Sequence, residues 1–427
     1  MIDLNQKDYK RSRSMYIAFA ALEYLIAILL AGSFLARITG ELGISDGLTG
    51  IISSFVSLGC LFQMISMFIK PKSSKKFTIY MTLVNNLLFM FLYILPLLDL
   101  PQAVSTIAFV VIILLAYLVY NIASPSKTNW FMSLVDDKQR GIFSANKEII
   151  SLISGIVFTF VMGRIIDYYK GIGEIRTAFV ISAVCIFLVG TASLLTMVFT
   201  VETPVTQAKA EDQKNVLRGM LQVFKDKTVL KVTTLFVLWR IATYSASSFY
   251  GSYEIHDLAL EQTVIAVLTA TGSVARILVS RFWGKYADKN SFARMIRICF
   301  LIAMGAYAAM AFATPKTGVV CLASYNILHG IAMGGINSAL INLVFDYVSV
   351  EKRSDSIALS QAVSGAAGFL ATVCASPLVT YVQGNGNRIF GMQIYAQQFL
   401  SVVAVLMTGV CILYVTFVFI RKDKKKA

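Results

Sequence analysis

Residues 280–297 read SRFWGKYADKNSFARMIR, and what surrounds this stretch decides what kind of protein the chain is. Five basic residues, Arg281, Lys285, Lys289, Arg294 and Arg297, share it with one acid, Asp288. Apolar residues run into it over 262–283 and out of it over 294–313. Each run is near the ~20 residues that an α-helix needs to cross a bilayer. A charged island between two such runs is the short water-facing break between two spanning helices.

The whole chain repeats that pattern. Of its 427 residues 57% are hydrophobic and 14% charged, too little polar surface to cover a water-soluble globule of this size. Twelve apolar stretches can be read, at 14–37, 48–69, 77–97, 102–128, 147–167, 176–200, 230–253, 262–283, 294–313, 317–345, 356–382 and 394–420. The expected fold is an all-α membrane protein of twelve transmembrane helices. One polar break is long, residues 201–229 (VETPVTQAKAEDQKNVLRGMLQVFKDKTV). It divides the chain into a six-helix half over 1–200, a linker over 201–229 and a second six-helix half over 230–427.

A net charge of +15 would suit a nucleic-acid binder if it formed one patch, and it does not. With the breaks numbered alternately, 28 of the 38 Lys and Arg fall on the side that holds both termini. The other side holds Arg37, Arg164, Lys170, Arg176, Lys316 and Arg388. The positive-inside rule then places both termini in the cytoplasm and the protein in the cell membrane. The six cysteines lie within the apolar stretches without a CxxC pair, and read as small fillers rather than metal ligands or disulfides. The N-terminus shows no cleavage site after a short apolar core, so the first stretch is expected to stay as a helix.

An internal repeat supports two related halves. A shift of 213 positions lays LVDDKQRGIFSANKEIISLISG (134–155) over YVSVEKRSDSIALSQAVSGAAG (347–368), matching Arg140 with Arg353, Ala145 with Ala358, Ser151 with Ser364 and Gly155 with Gly368. Two related six-helix halves are the pattern of a secondary transporter, whose binding site lies at the interface of its repeats.

Over nearly its whole length the chain resembles the major facilitator superfamily. Gly284, Asp288 and Lys289 of GKYADK, with Arg294, match that superfamily's cytoplasmic loop signature, and WFMSLVDDKQRG and LINLVFDYVSVEKRSD look like the equivalent loops of a prokaryotic branch. The resemblance implies two pseudo-symmetric six-helix bundles. It also implies a latch: Gly284 would let two helices turn and pack, and Asp288 would accept hydrogen bonds from a neighbouring helix N-terminus, with Lys289, Arg294, Arg140 and Arg353 as further gating residues. The alternative is a basic loop that only orients the protein. In the first half KPKSSKK (70–76) occupies the matching place with Pro71 for the glycine and Lys75 for the aspartate, so that half is expected to lack an acidic latch.

Charges inside spanning helices are costly and mark polar cavities. Glu23 in the first stretch and Arg240 in the seventh both fall near mid-membrane. The resemblance places stretches one, four, seven and ten around the central cavity. The fourth carries Tyr117, Asn121, Ser124 and Thr128 at helical spacing, with Lys127 beside them; the tenth carries Asn326, His329 and Asn337, and the seventh adds Tyr244 and Ser247. Glu23, Arg240, Tyr117, Asn121, Lys127, Tyr244, Asn326, His329 and Asn337 are therefore the expected substrate- or proton-binding set, with Glu23 as proton carrier. Alternatives stand beside it: Glu23 and Arg240 as a bracing pair, Lys127 reaching the interface, His329 as a core histidine. Gln63 and Arg276 lie on stretches expected to flank the cavity, and Pro125 and Pro377 are expected kinks.

No GxxxxGK[ST] segment is present to cradle a nucleotide, and Asp136–Asp137 has no second acidic motif with which to share a metal. The expected function is secondary active transport of a small polar or charged organic solute by alternating access, coupled to protons or another ion, without cofactor or nucleic-acid partner, and as a monomer in the bilayer. A drug or metabolite exporter and a non-transporting sensor of the same fold are the alternatives. The fifth stretch lacks the closely spaced glycines and Gly-Pro pair of the superfamily's proton-antiporting drug exporters, so the resemblance leans toward uptake.

Overall fold

A computed structural model describes residues 7–69, 71, 73–135, 140–202, 225–349, 352–389 and 391–421. It is helical almost throughout. In chain order the helices are α1 (Lys7–Leu29), α2 (Gly32–Glu41), α3 (Asp46–Ser53), α4 (Phe55–Phe62), α5 (Ser74–Ile94), α6 (Gln102–Met132), α7 (Arg140–Gly171), α8 (Ile175–Val198), α9 (Lys227–Tyr244), α10 (Gln262–Asn290), α11 (Phe292–Ala311), α12 (Gly318–Tyr347), α13 (Arg353–Gly384) and α14 (Ala396–Val415). A two-stranded hairpin pairs Arg388–Ile389 with Met392–Gln393 between the last two.

Among the described residues, 11 helical segments are long and apolar enough to cross a membrane. The expected seventh span differs. Its helix α9 stops at Tyr244, and the chain continues through a 3₁₀ turn (Ser247–Phe249), one α-turn (Tyr250–Ser252) and a π-helical turn (Tyr253–Asp257). The physical reason lies in its composition: Lys227, Lys231 and Arg240 interrupt the apolar run, and the serine-rich SASS after Tyr244 offers the backbone local alternatives to a straight helix. The expected kink prolines do lie inside helices, Pro125 in α6 and Pro377 in α13.

The chain packs as two compact units. Unit 1 comprises Met1–Ile44, Phe62–Glu211 and Glu261–Ala266; unit 2 comprises Ser45–Leu61, Asp212–Leu260 and Val267–Ala427. Each unit thus includes a short piece from the other side of the linker: α3 and α4 up to Leu61 belong to unit 2, and the first turn of α10 to unit 1.

In unit 1, α1 packs on α7 and α8, and α5 on α6 and α8. An aromatic cluster of Tyr16, Phe19, Trp130, Phe131, Leu134 and Met197 fills one end, with the Tyr16 and Phe131 rings stacked at 4.2 Å. The Trp130 indole needs a buried acceptor and finds the Val201 carbonyl at 3.0 Å. In unit 2, α11 packs on α12 and α14, and α9 on α13 and α14. Helices α10 and α12 approach until their backbones touch: a Cβ on Gly330 would collide with the Gly272 carbonyl, so only glycine fits there.

Among the described residues all six cysteines are free; only Cys299 and Cys411 are fully buried, and Cys374 is exposed. The filler role therefore fits those two best.

Candidate functional site

In unit 1 one pair of charges closes on itself, while the buried Arg37 keeps an Nε without a partner among the described residues. Glu23 of α1 and Lys127 of α6 form an ion pair, with the Lys127 side chain only 9% exposed. The ammonium also lies 4.5 Å from the centroid of the Tyr120 ring and 5.3 Å from that of Phe19, where the aromatic faces favour a cation. Lys127 therefore turns inward to a partner instead of reaching an interface. Beside it Gln63 donates to the Asn121 side-chain oxygen at 3.2 Å, and Asn121 donates to the Tyr117 carbonyl at 2.8 Å. Tyr117 packs its ring edge against Phe89. Of the expected helix-four stripe, Asn121 is bonded to the Tyr117 carbonyl of its own helix and to Gln63, while Lys127 pairs with Glu23.

Unit 2 holds its charge more loosely. Arg240 of α9 donates to the Tyr244 hydroxyl at 3.4 Å and to the Gln361 side-chain oxygen of α13 at 3.5 Å, both at the long limit of a hydrogen bond. No carboxylate neutralises it among the described residues. On α12, His329 stacks on Tyr325 at 5.0 Å and meets Tyr307 edge-on, while its buried Nε2 has no hydrogen-bond partner. Asn326 spends its amide on the Leu322 carbonyl of its own helix, and Asn337 is exposed. The helix-ten stripe is therefore not one assembled group: His329 belongs to an aromatic cluster, and Asn337 stands apart from it.

The sequence did not single out Glu254. It sits in the π-helical turn, half-buried, near enough to Tyr250 and Tyr325 to act on them electrostatically, and makes no side-chain hydrogen bond or ion pair among the described residues. The available signal was an acid directly after the apolar FYGSY run, one residue beyond the expected end of the seventh span.

Two clasps fix the pieces that the units take from across the linker. In unit 1 the Asp167 carboxylate, near the end of α7, accepts from the backbone amides of Gln262 and Thr263 at 2.9 and 2.7 Å and from the Thr263 hydroxyl at 2.5 Å. It caps the start of α10, where unpaired amides and the helix dipole favour a negative charge. Gln262 donates onward to Ser33 at 2.6 Å, and Gly163, one turn before Asp167, lets the backbones meet. In unit 2, Asp46 at the start of α3 accepts from His256 Nδ1 at 2.7 Å and from the Gln383 amide of α13 at 2.6 Å. The same amide lies 3.4 Å from Asp257, which also accepts from Asn387 at 2.8 Å. Burial pushes Asp257 above the usual carboxylate range; the nearby Asp46 adds to this, and the Asn387 and Gln383 donors with His256 oppose it. Gly47 packs on Ser376 and Thr380.

The expected latch is built otherwise. Gly284 lies inside α10 with open space around it, so it makes no turn; the chain turns at Ser291 instead. Asp288 is exposed and accepts no bond from a helix start, and the N-cap of α11 is Ser291, which accepts from the Arg294 amide at 3.2 Å. The physical reason is reach. A serine adjoining the helix caps it locally, whereas Asp288 is still within α10. Lys289 and the Arg294 side chain are exposed. Arg353 caps the C-terminal end of α12 through the Phe345 and Val348 carbonyls at 2.8 and 3.2 Å, where a cation is favoured. The Arg140 side chain lies outside the described residues.

The first half does have an acid at its corresponding break, brought from elsewhere in the chain. Glu202 accepts from the Ser73 hydroxyl at 2.8 Å and the Lys75 amide at 3.1 Å at the start of α5, while Lys75 caps α8 through the Val198 and Thr200 carbonyls at 2.7 and 2.8 Å. Acid at a helix start and base at a neighbouring helix end satisfy both dipoles at once.

Comparisons with known proteins agree with this architecture. A structure of a mutant of the nucleoside transporter NupG superposes with a TM-score of 0.74 at 14% identity, covering 96% of this chain and 100% of that one. A bacterial homologue of the human lysosomal transporter Spinster, inward-facing and unoccupied, gives 0.72 at 11% identity over 96% and 97% of the two chains. A D-xylose-proton symporter gives 0.68 at 12% identity over 93% and 96%. No curated protein matches the sequence. The model of the Major Facilitator Superfamily matches residues 14–372, and the chain belongs to that family of multi-pass membrane transporters.

Proposed function

We propose that this protein is a secondary active transporter that moves a small polar or charged organic solute across the cell membrane by alternating access, coupled to protons. The observation that carries the reading is Arg240, a guanidinium inside a membrane helix that no carboxylate neutralises among the described residues, held only by long bonds to Tyr244 and Gln361. A half-buried cation so weakly satisfied has hydrogen-bonding capacity to spend on an anionic or polar cargo group. The Glu23–Lys127 pair and the Asn121–Gln63 amides supply donors and acceptors on unit 1. Similar structures include a nucleoside transporter and a sugar-proton symporter, which supports cargo rich in hydroxyl and amide groups.

The division into two halves, 1–200 and 230–427 joined by 201–229, supplies the moving bodies of this reading. With both termini in the cytoplasm, an orientation the positive-inside count supports, the two clasps would lie in breaks on the outer side.

The test is a thermal-shift screen of uridine, D-xylose, amino acids and dicarboxylates on detergent-purified protein, followed by uptake of any stabilising compound into proteoliposomes under a proton gradient. A ligand that binds the folded protein raises its apparent stability. Stabilisation that disappears in Arg240→Ala, with uptake dissipated by a protonophore, is the expected result. A stabilising compound that binds Arg240→Ala equally well would remove Arg240 from the site.

A further inference from the structure

Glu254, His256 and Asp257 occupy one five-residue π-helical turn, Tyr253–Asp257. The turn has two chemically different sides. Glu254, half-buried, makes no side-chain hydrogen bond and has no counter-ion among the described residues, while His256 and Asp257 are bonded into the Asp46–Gln383–Asn387 clasp. Both sides belong to unit 2. A π-turn carries one more residue per hydrogen-bonded loop than an α-turn and is the kind of local irregularity that recurs at functional sites.

We propose that this π-turn is the coupling element of the transporter: Glu254 takes up and releases the coupling proton, and the change of charge is passed through the turn to His256 and Asp257, which hold or release the clasp on Asp46.

The argument rests on the proton-coupled transport reading and on three features. First, a carboxylate in a half-buried membrane setting without a cation beside it is held more cheaply as the neutral acid, and a proton is the smallest cation that can neutralise it. Second, the alternative carrier, Glu23, is already neutralised by Lys127. An acid with a permanent counter-charge gains little from a proton. Third, the turn is short and tied at its far end. Tyr253 donates to the Ala313 carbonyl at 2.6 Å, the Leu258 amide closes back on Tyr253 at 2.8 Å, and the Leu260 amide on Glu254 at 2.9 Å. Movement of Glu254 toward or away from the phenols therefore has nowhere to dissipate before His256, two residues on.

The charged and titratable groups around this device are few. Tyr250 lies on the same segment as Glu254 and Tyr325 on α12 is within electrostatic reach of it, while Asp46 from α3 bonds His256 and lies close to Asp257. Arg276 of α10 acts on His329, behind Tyr325. Gln383 bridges Asp46 and Asp257 without a charge of its own.

Two measurements on the detergent-purified full chain test the proposal without needing a solute. Infrared difference spectra between pH 6 and pH 9 should show the protonated-carboxyl band of the wild type vanish with rising pH; Glu254→Gln should lack that change and Glu254→Asp should move it. Hydrogen exchange of the 46–50 and 253–257 amides should then change severalfold with the same pH step, beyond the intrinsic chemistry, in the wild type and not in Glu254→Gln. His256→Gln should keep the infrared change and lose the response at 46–50, which separates the two sides of the turn. The proposal is overturned if Glu254→Gln keeps the wild-type band, or if its clasp amides follow pH as before. Absence of uptake for every solute tried, with both signals present, would remove the transport reading and leave the proton-to-clasp linkage standing.

Discussion

Positions related by the 213-residue repeat do different chemistry in the two units. Gly163 and Asp167 of α7 correspond to Ser376 and Thr380 of α13, and each pair grips a helix start that lies across the linker in sequence, Gln262–Thr263 for the first and Gly47 for the second. The backbone geometry is shared. In unit 1 a carboxylate accepts three bonds in one clasp; in unit 2 the hydroxyl of Thr380 stands at the corresponding place, and the hydrogen bonding passes to a histidine, two acids and two amides. The Glu23–Lys127 pair likewise contrasts with Arg240, which keeps only long bonds, and with Glu254 and His329 Nε2, which have no partner among the described residues. At these sites unit 1 pairs its charges while unit 2 leaves some without partners among the described residues, although Arg37 Nε and Asn85 Oδ1 of unit 1 are also unpaired there.

That contrast can be broken most forcefully in unit 1. Lys127→Ala leaves the Glu23 carboxylate inside a membrane helix without its counter-charge, and loss of one partner of a buried pair costs about 3 kcal/mol, at the lower end because Glu23 is 29% exposed. Denaturation of the purified variant should show that loss, and Glu23→Gln combined with Lys127→Ala should recover much of it. A double variant as unstable as the single one would mean that the pair contributes by packing rather than by charge.

Asp167→Ala ranks next. It deprives the start of α10 of a charge-assisted cap at two amides and a hydroxyl, for an expected loss of about 2 kcal/mol. Amides 262 and 263 should lose hydrogen-exchange protection, while those of α3 in unit 2 stay unchanged. If α3 loosened as well, the two clasps would not be independent.

Arg240→Ala sharpens the other side of the comparison. Because its bonds are long and have no charged partner, the variant should lose less than about 1 kcal/mol of stability while losing the binding of any stabilising solute. A large destabilisation would place Arg240 among the structural groups that unit 1 favours.

Much of this was legible from the chain. Apolar runs of bilayer length set the all-helical membrane architecture, because that reading depends on many residues at once. The clasps were not legible, since they join residues 95 and 337 positions apart, Asp167 to Gln262 and Asp46 to Gln383, with no periodicity to announce them. Asp288 illustrates a different failure. A motif supplied its role, whereas the helix start it was expected to cap already has Ser291 next to it. Glu202 was hidden because it sits in a polar break where an acid is unremarkable, and only folding brings it to Ser73. Glu254 fell just outside a boundary drawn by hydropathy.

The smallest expected effect concerns Asp226, which caps α9 through the Thr228 amide at 2.9 Å and pairs with Lys352 at 2.8 Å. The bond from Lys352, followed by the Thr228 amide, holds this carboxyl below the usual range. A carboxyl depressed in the folded state contributes stability above its unfolded pKa, about 3.9, and loses it as the pH falls through the lower folded value. Lys352 is 41% exposed, so solvent screens the pair and the contribution stays below about 1 kcal/mol. The melting temperature of Asp226→Asn should therefore lie slightly below wild type at pH 6 and converge with it toward pH 3, the gap at pH 6 narrowing in high salt. A gap that persists at pH 3 would show that the cap, which asparagine can partly replace, matters less than the shape of the side chain.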